Sequence, residues 1–273
     1  FLRLKAEDIL DIAIKAKEEG FKGLILPFQN VKEAAIVDGL DVYGVENVLQ
    51  VINFFEGKQD LIPTKIDTTE EVNKTLDFPE HDFSDVKGQE SIKRCMEIAA
   101  AGGHNVLLSG PPGTGKSMLA KALIELLPPM TTEEMLEVTH IHSLTSDDYQ
   151  EVITDRPFQA PHHTASYVSV IGGGQSLSPG EASLSNRGVL FLDELPEFNR
   201  QTIESLRQPL EDHRITITRA SGTASYHANF ILAATANPCP CGFYGSYNIT
   251  ASECTCSPHQ IASYYQHEYQ SIH

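Results

Sequence analysis

The chain has 273 residues, enough for one large domain or two domains of ordinary size. Its formal net charge of −17 disfavours a protein that coats nucleic acid through its overall field. It contains no apolar run near the length of a membrane span and no signal peptide, so we expect a soluble, cytoplasmic protein. Because it starts at Phe1 and not at Met, we interpret it as part of a longer chain.

The first 62 residues carry an α/β pattern of their own, with apolar residues spaced along one face of the first helix. We predict helices and strands over Ala6–Glu19, Gly23–Pro27, 31–38, Val42–Val45 and 46–56. Asn30 is predicted to cap the second of these helices. No pair of nucleophile and base stands out here, so we interpret residues 1–62 as part of a domain with a folding or docking role.

A polar stretch from Gly57 to His81 contains two prolines and shows no sustained periodicity. We therefore predict a linker, placed at residues 63–81, that separates the first domain from a second domain over residues 82–273. The second domain opens with a helix predicted over Glu90–Ala101.

A glycine-rich stretch between a buried strand and a helix is the strongest signal in the chain. It fits the pattern G-x-x-x-x-G-K-[ST] and consists of Gly110, Pro111, Pro112, Gly113, Thr114, Gly115, Lys116 and Ser117. Asn105–Ser109 and Met118–Leu127 predict the strand and the helix that a phosphate-binding loop requires. In such a loop Lys116 reaches the β- and γ-phosphates, and Ser117 offers its hydroxyl to Mg²⁺. The alternative is a chance match in a loop that binds no nucleotide.

The segment before the next core strand is irregular. Residues 157–188 are rich in glycine and serine, and only Ser166–Ile171 is β-prone, so we predict an inserted hairpin or a mobile loop. His162 and His163 would face opposite sides of a strand, so we do not expect them to bind one metal together. A contact of this loop with a threaded partner is the alternative.

Four apolar residues followed by two acidic ones predict a Walker B strand. Val189–Leu192 is apolar throughout, as expected of a parallel strand buried on both faces, and Asp193 and Glu194 follow directly. The carboxyl end of such a strand lies at the ligand-binding edge of an α/β sheet. Asp193 is therefore predicted near Mg²⁺, and Glu194 is predicted to orient or deprotonate the attacking water. The alternative is a strand that ends in an acidic loop.

The chain after the Walker B strand predicts a helix, a hairpin and a further core strand, over residues 199–210, 214–227 and Phe230–Asn237. Asn237 ends this strand at the same edge of the sheet, so we predict that it hydrogen-bonds the attacking water or the γ-phosphate. The alternative is an asparagine that serves the turn into Pro238.

Four of the five cysteines lie in two close pairs and predict a metal site. Cys239 and Cys241 form one C-x-C pair, and Cys254 and Cys256 form another after 12 intervening residues. Four thiolates in two pairs suit tetrahedral Zn²⁺, and His259 is an alternative ligand. The other interpretation is a set of reduced cysteines that holds a loop without a metal.

Several motifs together resemble one family: GPPGTGKS, RPFQAPHHTAS, GEASLSNRGVLFLDELPEF, LRQPLED, ITITRASG and AATANPCPCG. From about Asp82 to the cysteines, the chain resembles the magnesium-chelatase-like AAA+ ATPases of the competence protein ComM (YifB) type. The preceding residues resemble the end of the Lon-protease-like domain of that family. The resemblance implies an α/β fold: an AAA+ P-loop core, which is a parallel sheet flanked by helices, with hairpin insertions, preceded by a small partial Lon-protease-like α/β domain.

The resemblance also implies a function. It implies an ATPase with ATP and Mg²⁺ as cofactors, a ring, usually a hexamer, with ATP between neighbouring subunits, and DNA binding through pore or hairpin loops. It further implies helicase-like branch migration in DNA uptake and recombination. Carried over by motif, Gly110–Ser117 bind nucleotide, Asp193 and Glu194 are the Walker B pair, and Asn237 is the sensor.

Two departures from the family pattern affect what we expect. Gln159 stands where a basic residue is expected, and Ser263–His273 differ from the SGPLLDRID segment with which the family continues. We therefore expect this chain to lack the helical lid and the arginine that completes a neighbour's site, and to hydrolyse ATP slowly. The alternative functions are a magnesium-chelatase subunit for metal insertion into a porphyrin and an ATP-dependent protease or chaperone.

Overall fold

The computed structural model describes residues 6–64, 83, 86–145, 152–174, 177–219, 222–245 and 253–269. The chain forms two compact units: Phe1–Asp77 with Met130–Asp155, and Phe78–Pro129 with Arg156–His273. Most of the predicted linker, residues 65–81, lies outside the described residues. The division into domains over 1–62 and 82–273 therefore stays a prediction.

The strands are numbered in chain order. They are β1 (Gly23–Pro27), β2 (Asp41–Val45), β3 (Val106–Ser109), β4 (Phe158–Gln159), β5 (Gly172–Gly173), β6 (Ser178–Pro179), β7 (Val189–Leu192), β8 (Arg214–Arg219), β9 (Gly222–His227) and β10 (Ile231–Ala236). The α-helices are Ala6–Glu18, Val31–Ala34, Val48–Phe55, Glu90–Gly102, Lys116–Ala122, Thr132–Ser143, Tyr167–Ile171, Glu181–Leu184, Arg200–Ser205, Arg207–Asp212 and Pro258–Tyr269. Among the described residues, none of these helices combines the length and the apolar character needed to cross a membrane.

The first unit packs helices on the parallel pair β1 and β2. Ile9 and Ala13 lie on one stripe of the helix Ala6–Glu18 and are buried in the same cluster as Val42 of β2. This burial of an amphipathic stripe on a strand pair is what holds the small unit together. The helix Thr132–Ser143 also belongs to this unit.

The second helix of the first unit differs from its prediction. It covers Val31–Ala34 only, and the side chain of Asn30 makes no capping hydrogen bond to it. Asn30 is fully buried, with φ −105° and ψ 2°, whereas a capping residue needs an extended backbone. Asn47 has that extended backbone, and its Oδ1 accepts a hydrogen bond from Gln50 N at 3.1 Å, which starts the next helix.

The second unit is built on a four-stranded parallel sheet with the order β3-β10-β7-β4. β10 lies between β3 and β7, with Ala236 opposite Ser109 and Ala234 opposite Leu192. All residues of β7 and β10 are buried, as expected of central strands covered on both faces. The carboxyl ends of β3, β7 and β10 therefore meet at one edge of the sheet.

The segment between the P-loop helix and β7 contains a helix where a β-prone piece was predicted. Ser166–Ile171 forms the helix Tyr167–Ile171, because Ser166 Oγ accepts a hydrogen bond from Ser169 N at 3.1 Å and caps it. The antiparallel pair β5 and β6 then forms a short hairpin. His162 and His163 do not lie on a strand, so the strand geometry on which their prediction depended does not apply to them; their ring centroids are 4.0 Å apart.

After β7, the predicted helix over 199–210 is present as two short helices, Arg200–Ser205 and Arg207–Asp212, separated at Leu206. The hairpin that follows is confirmed: β8 and β9 pair antiparallel, with Arg214 opposite His227 and Arg219 opposite Gly222. Its alternation gives one buried face, where Ile215 and Ile217 join the core cluster, and one polar face.

Candidate nucleotide-binding site

The P-loop connects β3 to the helix Lys116–Ala122. Gly113 and Gly115 have φ of 75° and 84°, a left-handed backbone that glycine adopts without a steric penalty. Thr114 Oγ1 donates a hydrogen bond to the carbonyl of Pro111 at 2.9 Å and closes the loop. The result is a tight turn whose N–H groups and helix start suit an anion.

Lys116 lies at the centre of the site. Its Nζ donates hydrogen bonds to the carbonyls of Gly110 at 2.7 Å and Pro111 at 2.9 Å, and to Asn237 Oδ1 at 3.2 Å. Burial lowers the pKa of Lys116, while the neighbouring carboxylates Asp193 and Glu194 act in the opposite direction. The ammonium thus stands among oxygens of the P-loop and of the residue that follows β10, near the two carboxylates that follow β7.

Ser117 and Asp193 bring a hydroxyl and a carboxylate together. Ser117 Oγ donates to Asp193 Oδ1 and Oδ2 at 3.1 and 3.2 Å. Both side chains are oxygen ligands of the type that Mg²⁺ prefers, and Asp193 is open to solvent. A small hard cation between them would replace this direct hydrogen bond.

Thr235 is a site residue that sequence analysis missed. It lies within β10, is 1% exposed, and its hydroxyl donates a hydrogen bond to Asp193 Oδ1. The same hydroxyl accepts a hydrogen bond from the backbone N–H of Glu194 at 2.9 Å. Thr235 therefore fixes both acidic residues at the end of β7, and the available signal was a hydroxyl residue in an otherwise apolar core strand.

Glu194 has φ 54° and ψ 53°, a left-handed conformation that is uncommon for a residue other than glycine. The conformation ends β7 abruptly, and the side chain of Glu194 is exposed to solvent beside the P-loop edge. Strained backbone of this kind persists only where surrounding contacts hold it, and here Thr235 supplies one of them. An exposed carboxylate so held is suited to bind a water molecule.

The four paired cysteines also come together in the second unit. Their sulfurs all lie within 4.8 Å of one another. Among the described residues, these four cysteines are the group of three or more Cys, His, Asp or Glu side chains that lie close enough together to bind one metal ion. Cys239 Sγ is 3.3 Å from Cys241 Sγ and 3.8 Å from Cys254 Sγ. A backbone hydrogen bond from Phe243 is the main cause that lowers the pKa of the Cys241 thiol to about 6. His259, the alternative ligand, is not a member of this group.

The fold and the site define a P-loop core of the AAA+ class: a parallel sheet flanked by helices, with the phosphate loop after one strand and an acidic pair after another. Comparison with known proteins then gives the family. The family model described as "Magnesium chelatase, subunit ChlI" matches residues 82–271, and this chain belongs to that family.

Individual relatives agree with this assignment. The chain is 43% identical over 259 residues to "Competence protein ComM" of Haemophilus influenzae, a match that covers 92% of this chain and 49% of the relative. It is 43% identical over 257 residues to "Uncharacterized protein YifB" of Escherichia coli, again with 92% and 49% covered. The chain thus spans about half the length of these curated relatives.

A shorter match concerns a different class of protein. The chain is 38% identical over 87 residues to "Archaeal Lon protease" of Methanothermobacter thermautotrophicus, which covers 32% of this chain and 14% of the relative. The predicted resemblance to magnesium-chelatase-like proteins of the ComM and YifB type is confirmed, and so is the predicted fold class.

Proposed function

We propose that this protein is an ATPase that binds and hydrolyses ATP with Mg²⁺. One observation carries the proposal: the ends of three neighbouring parallel strands bring Lys116, Ser117, Asp193 and Asn237 into hydrogen-bonding contact. These residues supply a cation for phosphates, a hydroxyl and a carboxylate for Mg²⁺, and an amide for water or phosphate.

In this mechanism the backbone N–H groups of Gly110–Ser117 bind the phosphate oxygens of ATP. Lys116 exchanges the loop carbonyls that it now contacts for oxygens of the β- and γ-phosphates, where its charge stabilises the transferring group. Ser117 and Asp193 would hold Mg²⁺, which neutralises charge on the phosphate oxygens when it is bound. The fit rests on the two oxygen ligands that already lie side by side.

Glu194 and Asn237 act on the attacking water. Glu194 stands exposed at the end of β7 and accepts a hydrogen bond from the water or removes its proton. Asn237, half-buried at the end of β10, contacts Lys116 and so stands close to the position of the γ-phosphate. The two residues follow adjacent strands, so both can act on a water near the γ-phosphate.

The substitution Glu194→Gln tests this assignment. Removal of the base should lower the rate of ATP hydrolysis by about 10²–10⁴-fold, while binding of the fluorescent analogue mant-ATP is retained. Glu197→Gln is a matched control, since Glu197 is also exposed and lies in the turn that follows. Full activity in the Glu194→Gln variant would contradict the role given to this residue.

We further propose a homo-oligomeric ring, a hexamer, that acts on DNA in branch migration during uptake and recombination. Identity of 43% to a competence protein supports this. With a net charge of −17, contact with DNA must come from local basic positions. The β8–β9 hairpin exposes Arg214 and Arg219 and is the element that we assign to DNA.

The rate of ATP hydrolysis with and without branched DNA tests the motor. We expect branched DNA to stimulate hydrolysis, and the double substitution of Arg214 and Arg219 by Ala to remove the stimulation without lowering the basal rate. A ring-forming protein whose ATP hydrolysis is indifferent to DNA would refute the DNA proposal and leave the ATPase proposal intact.

Because ATP and reduced thiols are found in the cytoplasm, we place the protein there.

We propose Zn²⁺ as the occupant of the four-cysteine cluster of Cys239, Cys241, Cys254 and Cys256. Sulfurs that all lie within 4.8 Å of one another can surround one tetrahedral ion after small adjustments of the side chains. Metal analysis of the purified protein tests this directly, and Zn²⁺ should be present at one ion per chain and lost in Cys254→Ser.

Two alternatives are each favoured by one observation. The family description favours a magnesium-chelatase subunit, and insertion of Mg²⁺ into a porphyrin in the presence of partner subunits is the deciding assay. The match to a Lon protease favours an ATP-dependent protease or chaperone, for which degradation of casein is the assay.

A further inference from the structure

The turn that carries the first cysteine pair continues directly from the nucleotide site. Cys239 lies two residues after Asn237, is fully buried, and its Sγ accepts a hydrogen bond from Tyr244 N at 3.4 Å. Gly242 N donates to the carbonyl of Cys239 at 2.9 Å, which closes the turn. The position of this cysteine pair therefore constrains the end of β10 and the amide of Asn237.

The same turn packs against the phosphate loop. A Cβ built on Gly242 would lie 2.7 Å from Cδ and Cγ of Pro112 and 4.0 Å from Cγ of Asn237. Such short distances mean that the backbone of Gly242 is in contact with the ring of Pro112 and leaves no room for a side chain. Gly242 also has φ 84°, so the turn requires glycine on two independent grounds.

The second cysteine pair leads into a helix next to the turn that follows the acidic pair. Pro258–Tyr269 begins two residues after Cys256, and the side chains of Ser257 and Gln260 cap its start reciprocally. A cleft of about 290 Å³ separates this helix from the turn Leu195–Glu197, which follows Glu194 directly. Residues of both elements line it, among them Glu197 and His259, together with Pro240 of the first cysteine pair.

We propose that the metal in the four-cysteine cluster is a positioning element of the nucleotide site, so that metal binding and ATP binding are coupled. The inference rests on the proposed ATPase function and on the proposed metal. By joining the two cysteine pairs, the ion fixes the turn against Pro112, the end of β10 at Asn237, and the helix beside the turn that follows Glu194. Two elements of the proposed ATP site, and the helix next to the turn that follows Glu194, are thereby tied to one ion.

The coupling between metal binding and ATP binding follows from the free energy needed to order the two cysteine pairs. In the absence of the metal, the two cysteine pairs are separate chain segments, and the ordering of both must be supplied by ATP binding itself. With the metal bound, this cost has already been met, so ATP binds more tightly. Because coupling between two sites is reciprocal, ATP must strengthen metal binding by the same factor. We expect a factor of about ten, within the range common for coupled sites.

The first experiment measures both directions on the same protein. Mant-ATP is titrated in constant Mg²⁺ before and after removal of Zn²⁺ with the zinc-selective chelator TPEN, and again after Zn²⁺ is returned. We expect a dissociation constant about ten-fold higher without Zn²⁺, restored on its return. The competition of TPEN for Zn²⁺ is then measured with and without ATP, and ATP should make removal about ten-fold harder.

Variants separate the metal from the contact that transmits its effect. The double variant Cys254→Ser and Cys256→Ser should lose the metal and reproduce the weaker binding of mant-ATP. Cys95→Ser is the matched control, because Cys95 is exposed on the helix Glu90–Gly102 and should keep both properties. With Zn²⁺ in excess, Gly242→Ala should still weaken the binding of mant-ATP, since its Cβ would displace Pro112 and alanine does not favour a φ of 84°.

A cobalt experiment covers the case in which removal of Zn²⁺ unfolds the protein. Co²⁺ bound by thiolates absorbs visible light according to its geometry. In the Co²⁺-loaded protein, addition of ATP should shift these bands. A metal that is absent, bands that ATP leaves unmoved, or equal mant-ATP affinity with and without a bound metal would each overturn the inference. Failure of the metal-loaded protein to bind mant-ATP would instead refute the proposed ATPase function.

Discussion

Thr235→Val is the sharpest test of how the acidic pair is held. Valine keeps the shape of threonine but has no hydroxyl, so the change removes the hydrogen bond to Asp193 Oδ1 and the one accepted from Glu194 N. The strand itself should be preserved, because a β-branched residue suits a buried parallel strand. The substitution therefore acts on the end of β7 and not on the packing of β10.

The size of the effect follows from the two contacts. A hydrogen bond to a charged group contributes about 1.5–3 kcal/mol, and a buried N–H left without a partner costs about 1–3 kcal/mol. Because Asp193 is exposed and keeps its contact with Ser117, we expect the free energy of unfolding to fall by about 2–3 kcal/mol. Loss of a residue that orients a metal ligand typically lowers metal affinity or activity by about 10–100-fold.

The measurement is ATP hydrolysis as a function of Mg²⁺ concentration, together with chemical denaturation. Thr235→Val should need about ten-fold more Mg²⁺ for half-maximal rate, and Thr235→Ser should behave like the parent protein. Thr202→Val is the matched control, because Thr202 is also 1% exposed but lies in the helix Arg200–Ser205. An unchanged Mg²⁺ requirement in Thr235→Val would refute the reasoning.

Three further predictions concern the charge of the P-loop, a half-buried carboxyl and a close backbone contact. Lys116→Ala should weaken the binding of mant-ATP at least about 100-fold. Lys121 lies on the exposed side of the same helix, so Lys121→Ala should bind mant-ATP normally. Burial raises the pKa of Glu181, so the folded state binds this proton more tightly than the unfolded state, and ionisation as the pH rises costs stability. Glu181→Gln should therefore raise the melting temperature near neutral pH, but not at a pH below the ordinary pKa of a carboxyl group. An equal rise in melting temperature at both pH values would contradict this. Gly188→Ala would place its Cβ 1.9 Å from the carbonyl oxygen of Pro157. Calorimetry should therefore show that the free energy of unfolding falls by at least about 3 kcal/mol.

The sequence predicted those parts of the site whose functional residues are neighbours in the chain. A phosphate loop needs its glycines, Lys116 and Ser117 at consecutive positions, and Asp193 must follow its strand directly. Since the carboxyl ends of parallel strands share one edge, prediction of the strands was enough to expect these residues near one another. The structure brings them together at that edge.

The missed features depend on contacts between residues far apart in sequence. Thr235 looks like an ordinary β-branched residue in an apolar run, and only the alignment of β10 beside β7 brings it to Asp193. The contact of Gly242 with Pro112 is equally invisible in the pattern of either segment. In Ser166–Ile171, β-branched residues favoured a strand, but the cap at Ser166 and the burial of Ile171 decided for a helix.

The insertion of β10 between β3 and β7 has a consequence for the synthesis of the chain. Leu232 N donates a hydrogen bond to Asn105 Oδ1, a residue that precedes it by 127 positions. At about 5–20 residues per second, a ribosome needs on the order of ten seconds to make this stretch. During that time β3 and its glycine loop have left the ribosome without their central neighbour, and their exposed backbone edge is open to wrong partners. Shielding of nascent chains by chaperones matters most within this interval.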